Sequence, residues 1–154
     1  MAIRTVFKLG DPMLRQTSRP VEAFDARLAQ LMDDLADTMR KEGGIGLAAA
    51  QVGILRRAAV VENEGKFYEL INPVVVNTSG ECADSEGCLS VPDRRERITR
   101  PELVTVRAYN RKGEASEITV RGYTARAFLH EIDHMDGVLF IDRATERAGK
   151  RRNK

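Results

Sequence analysis

The sequence is poor in the features that mark secreted or membrane-embedded proteins. Its two cysteines, Cys82 and Cys88, are too few for a disulfide framework and are typical of a reducing compartment. There is no tryptophan, no apolar run long enough to cross a membrane, and no basic-then-apolar start of the signal-peptide kind. These absences predict a cytoplasmic protein without a membrane partner.

The charges are nearly balanced, with 25 Lys and Arg against 23 Asp and Glu and a formal net charge of +2. So small an excess gives no reason to expect a specific nucleic-acid partner. At 154 residues the chain is long enough for one domain with a hydrophobic core. We assign residues 1–146 to that single domain and residues 147–154 to a short, basic, flexible tail.

Hydrophobic periodicity orders the chain as helix, strands and helix. Apolar residues at three- and four-residue spacing predict a helix from about Asp25 to Lys41, with Asp25 as its N-cap. A second helix is predicted from about Thr124 to Asp136. Between them, β-branched and apolar runs punctuated by glycine predict mostly antiparallel strands at 57–61, 66–76, 103–109 and 117–120. This order indicates an α+β domain, with the strands packed around the C-terminal helix and the first helix as scaffold.

The only two histidines of the chain both lie in His130-Glu131-Ile132-Asp133-His134, within the second predicted helix. Residues four apart on a helix share a face, so His130 and His134 can bind one metal ion. Glu131 lies beside that face, within reach of a metal-bound water. The arrangement is typical of metal-dependent hydrolases, and the alternative is a surface helix with a chance pairing of polar residues.

A catalytic metal site of this kind usually needs a third protein ligand. No histidine follows His134, and Glu146 lies in the polar tail. The better candidate is Cys88, which stands among small and apolar neighbours in the segment Glu86-Gly87-Cys88-Leu89-Ser90. The alternative for Cys88 is a buried, inert thiol, which is also what we expect of Cys82.

A third segment, Gly44-Ile45-Gly46-Leu47-Ala48-Ala49-Ala50-Gln51, combines two glycines with a terminal amide. The glycines permit close approach of a ligand or of another strand, and Gln51 would present an amide donor. The alternative is a helix end followed by a turn and a buried, alanine-rich packing surface.

Together the three segments resemble the peptide deformylase family. Its signatures are a Gly-x-Gly-Leu-Ala-Ala-x-Gln loop, a Glu-Gly-Cys-Leu-Ser strand and a His-Glu-x-x-His helix, and all three occur here in that order. The resemblance runs from the Leu9-Gly10-Asp11-Pro12 segment to Asp142 and includes an Asn72-Pro73 turn. One departure is Leu129, because many members have glutamine directly before the first motif histidine.

The resemblance implies removal of the N-formyl group from the N-terminal formyl-methionine of nascent polypeptides. It implies one divalent metal ion, Fe²⁺ in the cell, at a site that Zn²⁺, Ni²⁺ or Co²⁺ can also occupy. The ligands would be Cys88, His130 and His134.

Catalysis by a member of this family would use a metal-bound hydroxide, with Glu131 as general base and then general acid. The side-chain amide of Gln51 and the backbone N–H of Leu89 would stabilise negative charge on the formyl oxygen.

Substrate binding in the family implies an apolar pocket for methionine and pairing of the substrate backbone as an added strand. The expected substrate-binding residues are Ile45, Gly46, Gly87, Tyr123, Arg126 and Ala127, with Leu89 at the same pocket. We further expect Glu86 and Arg95 to form an ion pair that steadies the cysteine strand.

The expected partners are N-formylmethionyl nascent peptides, and the expected state is a monomer. A transient ribosome contact through the basic tail is a further hypothesis, with a solvated tail as its alternative; the residues concerned are Arg147, Lys150, Arg151 and Arg152. Two other functions stay open: a zinc-dependent peptidase with the same helix motif, and a non-catalytic paralogue that binds N-termini.

Overall fold

A five-stranded antiparallel sheet, a separate two-stranded hairpin and two long helices make up the computed structural model, which describes residues 2–144. The strands are β1 (Gly46–Ala48), β2 (Ala58–Asn63), β3 (Lys66–Ser79), β4 (Cys82–Cys88), β5 (Val91–Arg100), β6 (Leu103–Tyr109) and β7 (Ala115–Arg121). The helices are α1 (Ala26–Lys41) and α2 (Gly122–Met135). The sheet has the order β1-β2-β3-β6-β7, and β4 pairs with β5 alone. The predicted α+β class is therefore confirmed.

Helix α1 begins where the sequence predicts. The carboxylate of Asp25 caps it by accepting from the backbone N–H of Leu28 at 3.0 Å. Its apolar stripe is buried against β1 and β2, and comprises Leu28, Leu31, Met32, Leu35 and Met39. The helix ends before Gly43, which has a φ of +73° that a glycine adopts without strain. This helix is scaffold, as expected.

Helix α2 begins two residues before the predicted Thr124 and ends one residue before Asp136. One face packs on the sheet through Ala125, Phe128, Ile132 and Met135. Because side chains four apart repeat on one face, both motif histidines fall together on another side of the helix, towards the β4–β5 hairpin.

Strands β2, β3, β6 and β7 lie where the sequence predicts them. The sequence of β1 and of the β4–β5 hairpin has no clear hydrophobic pattern from which strands could be predicted. Strand β5 is mostly charged and exposed, and only Val91, Ile98 and Arg100 are buried along it. A strand with so few buried apolar positions lacks the period-two signal on which sequence prediction depends.

The expected Asn72-Pro73 turn is wrong, because both residues lie inside β3 at an irregularity in its pairing with β6. Asn72 has a φ of +49°, which asparagine tolerates better than most residues. Its side-chain amide exchanges two hydrogen bonds with the backbone of Val21, at 2.8 and 3.0 Å. The Asn72-Pro73 pair is thus a bulge in β3 that is hydrogen-bonded to the N-terminal segment.

The predicted boundary at residue 146 and the basic tail 147–154 lie outside the described residues. Among residues 2–144, neither helix is both long and apolar enough to cross a bilayer.

Candidate metal centre

Three potential metal ligands converge between the end of β4 and α2. Cys88 Sγ lies 3.3 Å from His134 Nε2, which in turn lies 3.2 Å from His130 Nε2. All three ligand atoms lie within 4.8 Å of one another, and both imidazoles are buried. The structure therefore brings together the three residues that the sequence singles out as ligands.

The hydrogen bonding of His130 tests whether these residues suit a metal. Its Nδ1–H donates to Glu86 Oε2 at 2.6 Å, so Nε2 is the nitrogen that faces Cys88 and His134 and would bind a metal. One thiolate and two imidazole nitrogens are soft and borderline donors that suit Zn²⁺, Fe²⁺ and similar divalent ions. The residues fit the metal that the family resemblance implies.

Glu86 is the centre of a buried ionic network. Its carboxylate accepts two bonds from Arg100, at 2.7 and 2.8 Å, and one from Arg126 at 2.8 Å. Burial alone would raise the pKa of Glu86, but the bonds from Arg100 and His130 outweigh burial and hold that pKa far below its usual range. Glu86 is therefore a permanent carboxylate that fixes the orientation of His130.

The expected ion pair between Glu86 and Arg95 is wrong. Arg95 donates instead to the hydroxyl and the carbonyl oxygen of Ser85, at 2.9 and 3.2 Å, and to the hydroxyl of Tyr123 at 3.2 Å. Arg95 is exposed, whereas the side chain of Glu86 is buried between the hairpin and α2. Arg95 still links the cysteine strand to α2, but through neutral acceptors.

The two imidazoles differ in their electrostatic surroundings. Burial lowers the pKa of His134 well below its usual value. Burial acts the same way on His130, but the charges and bonds of Glu131, Cys88 and Glu86 outweigh it and raise the pKa of His130 well above the usual value. A metal ion at this site would therefore have to displace a proton from His130, which makes metal affinity dependent on pH.

Glu131 is a buried carboxylate beside the ligand cluster. Its Oε1 has no hydrogen-bond partner among the described residues, and burial raises its pKa to about 7 although the charge of His130 opposes that shift. A group with such a pKa can take and return a proton near neutrality. Gly46 makes room for it, because a Cβ on Gly46 would collide with the Glu131 carboxylate.

Gln51 is held so that its amide nitrogen faces the cluster. Its Oε1 accepts from the backbone N–H of Ala48 at 2.9 Å, which orients the side chain. Its Nε2 donates to Ser90 Oγ at 3.1 Å and lies 3.6 Å from Cys88 Sγ. The glycine-rich segment is therefore β1 followed by a short 3₁₀ turn that aims an amide at the metal ligands.

A cavity of about 600 Å³ opens in front of these groups. Its walls include five of the six expected substrate-binding residues, Ile45, Gly87, Tyr123, Arg126 and Ala127, together with Leu89. Gly46 is the exception, since it lies behind Glu131 instead of on the cavity wall. The guanidinium of Arg126 is buried against Glu86, so mainly its stem remains for ligand contact.

Sequence reasoning missed two residues of the network, Arg100 and Asp133. Arg100 bridges Glu86 to Asp133 Oδ2 at 3.1 Å, and Arg143 holds Asp133 with two bonds of 2.7 Å. One signal was available for Asp133, which lies three positions after His130 and therefore on a neighbouring part of the surface of α2. Local spacing gives no such signal for Arg100.

A thiolate, two imidazoles and a buried carboxylate of raised pKa around one cavity define a metal-dependent hydrolase. The sequence model of the family described as Polypeptide deformylase matches residues 3–150 of this chain. Peptide deformylase 1 of Clostridium acetobutylicum is 49% identical over 150 residues, covering 97% of this chain and 99% of that protein. The chain belongs to the polypeptide deformylase family.

Solved structures agree with this assignment. A peptide deformylase from Thermotoga maritima superposes with a TM-score of 0.91 at 38% identity, over 93% of this chain and 98% of the other. A class I type b peptide deformylase from Acinetobacter baumannii, solved with Met-Ala-Ser bound, gives a TM-score of 0.89 at 35% identity, over 92% and 98%. The protein is thus a metal-dependent hydrolase that removes the formyl group from N-formylmethionyl peptides, and the peptidase and non-catalytic alternatives are set aside.

Proposed function

We propose that Cys88, His130 and His134 hold the catalytic metal and that Glu131 moves the proton. The observation that carries this proposal is the convergence of three ligand atoms within 4.8 Å beside a buried, unpartnered carboxylate oxygen. A bound divalent ion would supply Lewis acidity, which lowers the pKa of a water molecule and polarises a carbonyl group.

Glu131 is the general base and then the general acid. Its unpartnered Oε1 is the atom that would accept a proton from the attacking water, because Oε2 is the oxygen packed against Gly46. With a pKa of about 7, Glu131 can then release that proton to the leaving amine. The absence of a side chain at position 46 leaves room for this carboxylate.

Gln51 Nε2 and the backbone N–H of Leu89 stabilise the negative charge that develops on the formyl oxygen. The amide of Gln51 is oriented before any substrate binds, because its oxygen is held by Ala48 and its nitrogen by Ser90. Such pre-oriented donors act without reorganisation during the reaction. Leu89 follows the cysteine ligand directly, so its peptide lies at the same cavity.

The methionine side chain occupies the part of the cavity formed by Ile45, Tyr123, Ala127 and the stem of Arg126. The peptide backbone adds as a strand beside Ile45 and Gly87. This agrees with the position of β1 at the edge of the sheet, where one side of the strand is free to pair. Main-chain pairing would tolerate many sequences after the methionine.

Following the family resemblance, we assign Fe²⁺ as the metal in the cell. Zn²⁺, Ni²⁺ and Co²⁺ are replacements, because the thiolate and imidazole set suits all four ions. We also assign the enzyme to the cytoplasm as a monomer, with residues 1–146 as its catalytic domain.

A transient ribosome contact through the tail 147–154 is a separate hypothesis. Co-sedimentation with ribosomes, with and without the residues after Ala148, tests it.

Release of formate from formyl-Met-Ala-Ser by iron-loaded protein, measured anaerobically, tests the proposal. We expect release to stop with a chelator and to return with added metal. Glu131→Ala should keep stoichiometric metal but lose about 10²- to 10⁴-fold in turnover, the usual worth of a general base. Cys88→Ala should instead lose the metal.

Full activity in Glu131→Ala would refute the proton-transfer role. Stoichiometric metal in the Cys88→Ala, His130→Ala or His134→Ala variants would refute the ligand set, whatever their activity.

A further inference from the structure

We propose that Lys8 is a positioning residue, which binds the carbonyl oxygen of Leu89 and thereby fixes the oxyanion donor at that residue. This inference rests on the proposed role of the Leu89 backbone N–H in stabilising negative charge on the formyl oxygen. It gives the N-terminal segment, which contains none of the proposed metal ligands, a part in the reaction.

The N-terminal segment 7–9 lies against the two turns that carry the proposed oxyanion donors. The backbone N–H of Phe7 donates to the Gln51 carbonyl at 2.7 Å, and that of Leu9 donates to the Ser90 carbonyl at 2.8 Å. Gln51 Nε2 in turn donates to Ser90 Oγ at 3.1 Å. The segment, the turn of Gln51 and the turn after β4 are thus held in one arrangement.

The side chain of Lys8 reaches the turn after β4 from between these two backbone bonds. Its Nζ donates to the Leu89 carbonyl at 3.1 Å, although the two residues lie 81 positions apart in the chain. A hydrogen bond from a charged donor is shorter and stronger than one between neutral groups. Because Lys8 is exposed, a substitution there should remove this bond without disturbing the hydrophobic core.

The side chain of Leu89 is held separately from its backbone. It packs against the core cluster that contains the apolar stripe of α1, and its Cδ1 would lie 2.8 Å from a Cβ built on Gly44. Such packing does not fix the flanking peptide groups, which can still turn about the φ and ψ of Leu89. Lys8 holds the peptide group that follows Leu89, so it restrains the backbone from which the oxyanion donor projects.

A direct contact with the peptide substrate is the competing explanation for any effect of Lys8, because Lys8 also borders the cavity. The two explanations differ in their kinetics. An oxyanion donor acts on charge that develops only in the transition state, so its misplacement lowers kcat and leaves KM unchanged. A lost contact with bound substrate raises KM instead.

The test compares kcat and KM on formyl-Met-Ala-Ser for the metal-loaded parent, Lys8→Met and Lys8→Arg. Methionine keeps most of the stem but has no donor, so we expect kcat to fall about threefold to tenfold while KM stays within about twofold. Lys8→Arg keeps a charged donor and should restore most of kcat. Metal content and Tm should match the parent in both variants.

Arg94→Met is the matched control for the loss of positive charge. Arg94 borders the same cavity, but among residues 2–144 its guanidinium donates to Glu96, at 3.5 Å, and not to Leu89. Its replacement should leave kcat close to that of the parent. An equal loss of kcat in Lys8→Met and Arg94→Met, a change in KM alone, or no rescue by Lys8→Arg would overturn the proposal.

Backbone NMR signals of the zinc-loaded protein report on the contact without any turnover. Lys8→Met should shift the carbonyl carbon of Leu89 and the amide nitrogen of Ser90, which belong to one peptide group, and Arg94→Met should not. Unshifted signals in Lys8→Met would refute the contact. Failure of the parent to release formate would refute the proposed function, whereas full kcat in Lys8→Met would refute this inference alone.

Discussion

At the scale of single residues, the site depends on the carboxylate of Glu131, which needs the space that a missing side chain at position 46 provides. Glu131 is buried, its Oε1 is unpartnered among residues 2–144, and its Oε2 lies against Gly46. A residue without a side chain at position 46 is therefore a condition for the placement of the base. The backbone of Gly46 is an ordinary strand conformation, so the need for glycine comes from space and not from φ.

Gly46→Ala should displace Glu131 and lower turnover, because the added methyl group would occupy the position of its carboxylate. We expect a loss of about tenfold to a hundredfold in kcat, since a small misplacement of a reacting group is costly. The metal ligands are untouched, so metal content by elemental analysis should stay stoichiometric. An alanine variant with the kcat of the parent would show that Glu131 has more freedom than its packing indicates.

At the scale of elements, one side chain joins the hairpin to α2. The carboxylate of Glu86 on β4 accepts hydrogen bonds from Arg100 on β5 and from Arg126 and His130 on α2. Buried charges of this kind are costly to separate, because removing one partner leaves the others uncompensated. The hairpin has little apolar burial of its own, so this network sets how Cys88 meets the histidines.

Glu86→Gln should weaken both the fold and the metal site. It leaves Arg126 without a charged partner and replaces the acceptor at His130, so we expect a loss of about 3–5 kcal/mol in unfolding free energy. Metal affinity should fall about tenfold to a hundredfold, as is usual when the hydrogen-bond partner of a ligand is changed.

Glu96→Gln is the control for Glu86→Gln, because Glu96 lies opposite Glu86 on β5 but, among the described residues, forms an ion pair only with Arg94. Urea unfolding and competition with a chelator measure the two effects. Equal results for the two variants would show that the network does not orient His130.

At the scale of the whole molecule, the N-terminal segment connects α1 to the active site. Asp34 on α1 accepts from the backbone N–H of Ala2 at 2.9 Å and from Arg4 Nε at 3.0 Å. Further along, Phe7 N–H donates to the Gln51 carbonyl at 2.7 Å and Leu9 N–H to that of Ser90 at 2.8 Å. The segment thus connects the scaffold helix to the 3₁₀ turn that carries Gln51 and to the turn after β4 that contains Ser90.

Asp34→Asn should make the protein less stable near neutrality and less sensitive to acid. Burial acts to raise the pKa of Asp34, but the bonds from Ala2, Gln30 and Arg4 outweigh it and lower that pKa below its usual value. The folded protein therefore binds fewer protons than the unfolded chain, so this stabilisation is present above the unfolded pKa and is lost as pH falls through the folded pKa.

Urea unfolding of the parent and of Asp34→Asn at about pH 7 and about pH 3 measures this contribution. The parent should lose more stability than the variant on acidification. Asp37→Asn, three positions along the same helix, makes none of the Asp34 bonds and should behave as the parent. An unchanged acid sensitivity in Asp34→Asn would exclude Asp34 as a source of it.

The sequence alone determined what is local. A repeat of apolar residues locates α1, and histidines four apart on one helix must share a face, so their pairing needs no knowledge of the rest of the chain. The order of three short signatures was sufficient to identify the family and, through it, to predict a ligand set. Strands β2, β3 and β6 were predictable because each contains buried apolar residues, and β7 because its alternating Ile118 and Val120 pack partly buried against the core.

Only the tertiary structure decided which charged groups meet. Glu86 lies 14 positions from Arg100 and 40 from Arg126, and nothing in local spacing distinguishes these arginines from Arg95, which was wrongly expected as the partner. The packing of the β4–β5 hairpin on α2 buries Glu86 with two of them and leaves Arg95 at the cavity mouth. Periodicity encodes which face of an element is buried, but the partner of a buried charge depends on how two elements pack, and that depends on the whole chain.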